Sequence, residues 1–173
     1  ISFYPKDGET KVELMKNADI AMYEAKKLGR NQYHFFTETL NETVQNAILL
    51  NRNMRLALEN DEYELFYQPK VDLETSEITS VEALIRWRTH EDGIINPDSF
   101  IQLAEDNNFI QELGVWIIDE AIRQYVDWRK RNIDIAISIN ISAKQLLKPD
   151  FAEKLISKLR TNHINPSKID LEI

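Results

Sequence analysis

The chain has 173 residues, of which 43% are hydrophobic and 29% are charged, an ordinary mixture for a globular protein. Its net charge of −8 offers no basic face to duplex nucleic acid. The absence of cysteine excludes disulfides and thiolate metal sites. No apolar run reaches the ~20 residues of a membrane span. The negative net charge does not exclude an anionic substrate, because bound cations can reverse the local electrostatic field.

Residues 1–36 are predicted to form a first unit. Lys6-Asp7-Gly8 is a turn signal, and apolar residues then recur at helical spacing from Val12 to Ala25. Gly29 ends that helix, with Lys26 in its last turn. Residues 32–36 are predicted to form a short closing strand. Because the chain opens without methionine and ends inside a strand-like alternation, we expect an internal piece of a longer protein.

Residues 37–60 are predicted to form one helix with an apolar stripe. Asn51 interrupts that stripe. The stripe consists of Leu40, Val44, Ala47, Met54 and Leu58. Such a stripe either docks on a partner surface or forms the seam of a dimer, and the sequence leaves both open.

From residue 61 the pattern changes to strands alternating with helices. A strand at 63–71 is joined to one at 78–87 by a connection too short for anything but an antiparallel return. Asn96-Pro97 begins a helix, and a longer helix covers 111–131.

The remaining elements continue the alternation. Alternate isoleucines predict a strand over 133–141, Asp150 begins another helix, and a last strand starts near Lys168. Strand–helix alternation implies parallel strands with helices outside, and the antiparallel hairpin before it favours a modified barrel.

Residues 81–87, Val-Glu-Ala-Leu-Ile-Arg-Trp, are the most informative segment. The alternation places one apolar face behind the strand and puts Glu82 and Arg86 on the other face. These two residues are about 13 Å apart at ~3.3 Å per residue. They are either a buried salt bridge or two parts of one site.

Strand parity gives Glu82 partners. Gln68, Asn140 and Glu172 share the predicted inner face with it. In the parallel strands these positions lie toward the C-terminal ends, where α/β barrels assemble active sites. Two carboxylates and an amide oxygen suit Mg²⁺, Mn²⁺ or Ca²⁺ better than Zn²⁺. The histidines, His34, His90 and His163, are scattered.

Four ordered motifs resemble the EAL family of bacterial cyclic di-GMP phosphodiesterases, over about 44–173. They are Tyr67-Gln68-Pro69, Glu82-Ala83-Leu84-Ile85-Arg86-Trp87, Asn140-Ile141-Ser142-Ala143-Lys144-Gln145 and Leu171-Glu172-Ile173. The resemblance implies a modified (β/α)₈ barrel with one antiparallel strand, of which 61–173 are the first half. It also implies hydrolysis of cyclic di-GMP to linear pGpG with Mg²⁺ or Mn²⁺.

The resemblance assigns roles residue by residue. Glu82, Asn140 and Glu172 match metal ligands, Arg86 matches a phosphate-contacting arginine, and Gln68 matches a substrate-side glutamine. The family's paired aspartates, lysine and further glutamate have no counterpart up to Ile173, so no catalytic residue beyond these ligands is expected here, and the piece alone is expected to be inactive.

The segment Asn17-Ala-Asp-Ile-Ala-Met-Tyr-Glu-Ala-Lys-Lys-Leu-Gly-Arg-Asn31 resembles the C-terminal end of GGDEF, or diguanylate cyclase, domains. That resemblance implies an α/β tail over 1–36, joined by the 37–60 helix to the EAL part. Lys26 and Arg30 match GTP phosphate contacts, although a solvated helix end is an equal alternative.

Rival interpretations remain open at this stage. The EAL part could be a catalytically silent module that binds cyclic di-GMP, or an unrelated phosphate-handling barrel. Asn140 could cap loop amides, Glu172 could be a carboxylate of the interior paired elsewhere, and Gln68 could be a plain hydrogen-bonding residue of the interior. We expect these domains in the cytoplasm, with room for a membrane anchor upstream and for a homodimer through the EAL part or the 37–60 helix.

Overall fold

The computed structural model describes residues 1–89 and 93–173, so His90 lies outside the described residues. The chain divides into two compact units, Ile1–Asn53 and Met54–Ile173. Among the described residues, no helix combines the length and the apolar character that crossing a bilayer requires.

The first unit is built around two helices. Helix α1, Lys11–Lys27, begins at Thr10, whose side chain forms a capping box with Glu13. Gly29 follows the helix with φ 111°, a backbone conformation that favours glycine. Helix α2, Glu38–Glu59, supplies Leu40 and Val44 to a small core of Ile20, Ala21 and Phe36. Both predicted helices are confirmed.

The strand predicted at 32–36 is wrong. Residues 33–37 have no regular structure. The amide of Phe36 donates to the carbonyl of Ile1 at 2.8 Å, and the amino group of Ile1 donates to the carbonyl of His34 at 2.7 Å. Two such bonds place the segment beside the start of the chain, but they do not extend into a ladder.

Among the described residues, the second unit contains a five-stranded sheet in the order β1-β2-β4-β5, with β3 paired to β2. The strands are β1 Tyr63–Val71, β2 Ile78–Thr89, β3 Gly93–Ile95, β4 Ala136–Asn140 and β5 Ile169–Glu172. β1 and β2 pair antiparallel, whereas β2, β4 and β5 pair parallel. The predicted hairpin leading into a parallel sheet is confirmed.

Helices follow the strands as the alternation predicts. They are α3 Pro97–Asp106, α4 Ile110–Lys130, α5 Ala143–Leu146 and α6 Phe151–Thr161, and a 3-10 turn at Pro166–Lys168 precedes β5. Asn96 caps α3 through its side-chain oxygen, which accepts from the amide of Asp98 at 3.2 Å.

The isoleucine strand is shorter than predicted. It was expected over 133–141, but β4 begins at Ala136. Asn132 has φ 60° and its amide donates to the carbonyl of Arg129 at 3.1 Å, so the chain is still turning out of α4 there. Ile133 is consequently exposed. The short elements β3 and α5 were not predicted.

The core lies behind β2, as the alternation of residues 81–87 predicts. Val81, Ala83, Ile85 and Trp87 are all buried. Trp87 is 1% exposed, packs edge-on against Phe100 with ring centroids 5.6 Å apart, and donates its indole N–H to Glu62 at 3.0 Å. The apolar back of β2 is therefore fixed, and its polar face is directed to the other side of the sheet.

Candidate active site

The strand register brings the predicted residues together. Gln68 is the antiparallel partner of Glu82, and Asn140 is the parallel partner of Glu172. Glu82 is also paired in register with Ser138 on β4. Four of the residues predicted from parity thus lie on neighbouring strands of one sheet and on one face of it.

Glu82 and Asn140 are in direct contact. The amide Nδ2 of Asn140 donates to Oε1 of Glu82 at 2.7 Å. The amide oxygen of Asn140 is left as a lone-pair donor at the end of β4. In the described contacts, the side chains of Ser142 and Gln145 cap the loop amides after Asn140.

Lys70 is a member of the cluster that the site prediction left out. Its ammonium group donates to Oε1 of Glu172 and, at 3.1 Å, to Oγ of Ser138. Hydrogen bonds from Lys70 and from Ser138 hold the pKa of Glu172 below its ordinary value, and the bond to Glu172 raises the pKa of Lys70. Strand parity places Lys70 on the same face as Gln68, so the sequence does carry a signal for it.

Arg86 is separate from Glu82. Its Nη1 donates to the carbonyl of Ile85 at 2.7 Å, and its guanidinium carbon lies 5.6 Å from the ring centroid of Phe66. The alternative of a mutual Glu82–Arg86 salt bridge is therefore wrong. Both residues keep charge for another partner.

A cavity of about 290 Å³ connects Arg86 to the ends of β4 and β5. Asn140 and Glu172 lie on its wall, together with the apolar side chains of Leu84, Ile101 and Ile141. A pocket with an apolar lining and a few convergent polar groups is the usual form of a small-molecule site. The cavity thus places the guanidinium of Arg86, the amide of Asn140 and the carboxylate of Glu172 around one space.

The loop after β4 is held by residues that the site prediction did not weigh. Ser142 begins α5 and donates its hydroxyl to Oε1 of Glu105 at 2.6 Å. Gln145 is 4% exposed, and its side-chain oxygen accepts from the amide of Ser142 at 3.0 Å. Lys144 donates to the carbonyl of Glu105 at 2.6 Å. The residues directly following Asn140 are thereby tied to α3.

The oxygen atoms of the predicted ligand residues can supply some, but not all, of the ligands of a hard divalent cation. Glu82, Asn140 and Glu172 offer carboxylate and amide oxygens, the ligand types that Mg²⁺ and Mn²⁺ prefer. Over residues 1–89 and 93–173 no group of three or more acidic or histidine side chains is arranged to hold a metal. The set therefore depends on the amide of Asn140, and it provides fewer donors than an octahedral ion requires.

Lys26 and Arg30 belong to the first unit. Lys26 lies in the last turn of α1. Arg30 has φ 60°, and its amide donates to the carbonyl of Ala25 at 3.1 Å. Both side chains are exposed at the end of the helix. That position agrees with a solvated helix end and leaves the groups accessible to an anion.

Comparison with known proteins gives the family. Residues 51–173 match the EAL domain. This chain belongs to the EAL family. Its β/α arrangement matches EAL structures, so the mixed α/β fold expected from the motifs is confirmed. EAL phosphodiesterases depend on divalent metal ions.

Curated relatives match the whole chain. It is 40% identical over 174 residues to the bifunctional diguanylate cyclase/cyclic di-GMP phosphodiesterase MucR of Pseudomonas aeruginosa, covering 100% of this chain and 25% of the relative. It is 38% identical over 173 residues to the cyclic di-GMP phosphodiesterase PdeR of Escherichia coli, covering 100% of this chain and 26% of that protein. The chain thus spans about a quarter of the length of these relatives.

A solved structure of the MucR phosphodiesterase in complex with cyclic di-GMP superposes with a TM-score of 0.68 at 35% identity. The superposition covers 72% of this chain and 51% of that one. The cAMP-bound EAL enzyme Bd1971 gives a TM-score of 0.69 at 29% identity, over 94% of this chain and 45% of that one.

Proposed function

We propose that this chain contributes the first half of the active site of a metal-dependent cyclic di-GMP phosphodiesterase, which produces linear pGpG. The observation that carries this proposal is the placement of Glu82, Asn140 and Glu172 on adjacent strands, with Asn140, Glu172 and Arg86 lining one cavity. The names of MucR and PdeR and the cyclic di-GMP complex support the choice of substrate.

The three oxygen-bearing residues would hold Mg²⁺ or Mn²⁺, with further ligands from elsewhere in the full-length protein. When bound, such an ion supplies an activated water and neutralises charge on the phosphate. The protein's own part is positioning. Arg86 presents a planar fork that matches two phosphate oxygens. Gln68, opposite Glu82 in register, presents an amide to the same face.

We extend the proposal to the first unit. Residues 1–36 would be the C-terminal end of a GGDEF domain, with Lys26 and Arg30 toward GTP phosphates, 37–60 a connecting helix, and 61–173 EAL domain. The relative MucR carries a cyclase in its name and matches the chain over its full length, which supports this order. A homodimer through the EAL part or the 37–60 helix, in a cytoplasmic setting, belongs to the same proposal.

Replacing Glu82 by Ala in the full-length protein tests the metal-dependent function. We expect Mn²⁺-dependent conversion of cyclic di-GMP to pGpG, followed by product chromatography, to fall to background, because the cluster loses a carboxylate and the bonding partner of Asn140. Glu153→Ala is the matched control, an exposed glutamate on α6.

Unchanged turnover of the Glu82→Ala variant would contradict the metal assignment. Wild-type protein that binds cyclic di-GMP in calorimetry but releases no pGpG would instead identify a catalytically silent receptor module. Wild-type protein with no affinity for cyclic di-GMP would reject both and leave an unrelated phosphate-handling barrel.

A further inference from the structure

Lys70 is the cationic member of the candidate site, and the proposed metal ligands do not account for it. It lies on β1, and its ammonium bridges two other strands, reaching Ser138 on β4 and Glu172 on β5. The inference drawn from this contact rests on the proposed function, because it concerns the same carboxylate cluster.

Ser138 fixes the ammonium group. It is 2% exposed and lies in the middle of β4, so its hydroxyl has a defined position. The 3.1 Å bond from Lys70 to Ser138 therefore anchors the end of a long flexible side chain. A lysine held in this way is a fixed donor, whereas a free surface lysine is not.

Glu172 needs an external partner to have a defined orientation. It is the last residue of β5, is followed by the exposed Ile173, and its side chain is only partly buried. Packing alone does not select one rotamer there. The charge-assisted bond from Lys70 to Oε1 does so, and Ser138, which also lowers the pKa of Glu172, lies beside the same carboxylate.

We infer that Lys70 is a positioning residue for the metal site: it holds one oxygen of Glu172 so that the other is presented to the cation. Partners that orient metal ligands in this way typically change metal affinity by about 10- to 100-fold when they are removed. The Ser138–Lys70–Glu172 chain would thus act on the metal through Glu172 without contacting it.

The sign of the effect separates positioning from simple electrostatics. An ammonium near a divalent cation repels it, so deleting that charge by itself favours cation binding. Losing the orientation of Glu172 weakens binding. At a pH well above the pKa of Glu172, where protons do not compete for the carboxylate, weaker binding after removal of the positive charge therefore indicates lost positioning.

The experiment measures Mn²⁺ binding by calorimetry on the full-length wild-type protein and on Lys70→Met, Lys70→Arg and Ser138→Ala. We expect about tenfold weaker binding for Lys70→Met and near-wild-type binding for Lys70→Arg, which keeps a cationic donor. Ser138→Ala should weaken binding by a smaller factor, because the charge stays but its anchor is lost. Lys168→Met is the matched control, since Lys168 pairs with Asp134 outside the cluster.

The outcomes distinguish this inference from the proposal beneath it. No Mn²⁺ binding by the wild-type protein would overturn the metal site itself. Binding by the wild type with equal or tighter binding by Lys70→Met would overturn only the positioning role. If Lys70→Met does not fold by thermal unfolding, Ser138→Ala decides, and an unchanged Mn²⁺ affinity in that variant refutes the inference.

Discussion

Gly114 in α4 is predicted to be required by the loop that follows the candidate metal ligand Asn140. A Cβ at this position would lie 1.8 Å from Nε2 and 2.6 Å from Cδ of Gln145, far inside van der Waals contact. Gln145 is buried and bonded to the amide of Ser142, so it has little freedom to move aside. Gly114→Ala therefore displaces the side chain that holds the loop after Asn140.

The magnitude follows from three effects. Overpacking a well-filled interior costs about 1–3 kcal/mol. Loss of the Gln145–Ser142 bond adds about 1 kcal/mol. The higher helix propensity of alanine than of glycine stabilises the folded state by about 1 kcal/mol. The free energy of unfolding of the full-length protein should thus fall by about 2 kcal/mol, although helix propensity alone would raise it.

Urea unfolding followed by tryptophan fluorescence measures the effect. The double variant Gly114→Ala/Gln145→Ala should be no less stable than Gln145→Ala alone, because the new methyl group then has room. Val115→Ala is the control, an exposed position on the same helix. A Gly114→Ala variant as stable as the wild type, or more stable, would refute the account of Gln145 as a close neighbour of this glycine.

Two further predictions concern charge. Arg86→Lys should weaken cyclic di-GMP binding about tenfold in calorimetry, because the lysine ammonium cannot form two parallel hydrogen bonds to a phosphate. The control is Arg55→Lys, since Arg55 also lies against an aromatic ring but pairs with Glu112, and this variant should bind cyclic di-GMP as the wild type does. Equal losses of affinity in the two variants would contradict a special role for Arg86. The hydroxyl of Tyr125 and the ammonium of Lys168 lower the pKa of Asp134, so its stabilisation is present above about pH 3.9 and is lost as the pH falls through the lowered value. The difference in the free energy of unfolding between wild type and Asp134→Asn should therefore narrow as the pH falls below about 3.9 in urea unfolding, and a difference that stays constant below that pH would contradict the shift.

The sheet could be predicted from the sequence because one face of β2 is apolar throughout. The burial of Val81, Ala83, Ile85 and Trp87 follows from strict alternation, and a one-residue shift would have exposed all of them. The same parity put Glu82, Asn140 and Glu172 on one face, and the register then placed them on neighbouring strands.

Contacts made by long side chains could not be predicted in the same way. Parity placed Lys70 on the inner face, but its reach across the sheet to Glu172 depends on the curvature of the strands. Gln145 packs against Gly114, and the two residues lie on helices that are distant in sequence. A glycine inside a helix predicts that some group packs closely against it, but the sequence does not show which residue that is. The strand expected at 32–36 failed because alternating aromatics cannot show whether a partner ladder exists.

The antiparallel direction of β1 explains how one strand can carry both the proposed substrate-side Gln68 and a lysine beside the candidate metal ligands. Gln68 is level with Glu82, whereas Lys70 is level with Ser80, which is nearer the N-terminal end of β2. In a parallel strand, a residue two positions after Gln68 would instead project beyond Glu82 toward the substrate side. Because β1 runs the other way, Lys70 approaches Glu172 from beneath the cluster, and the face beside Arg86 stays open. The antiparallel direction of this first strand therefore lets Lys70 pair with Glu172 without entering the cavity beside Arg86.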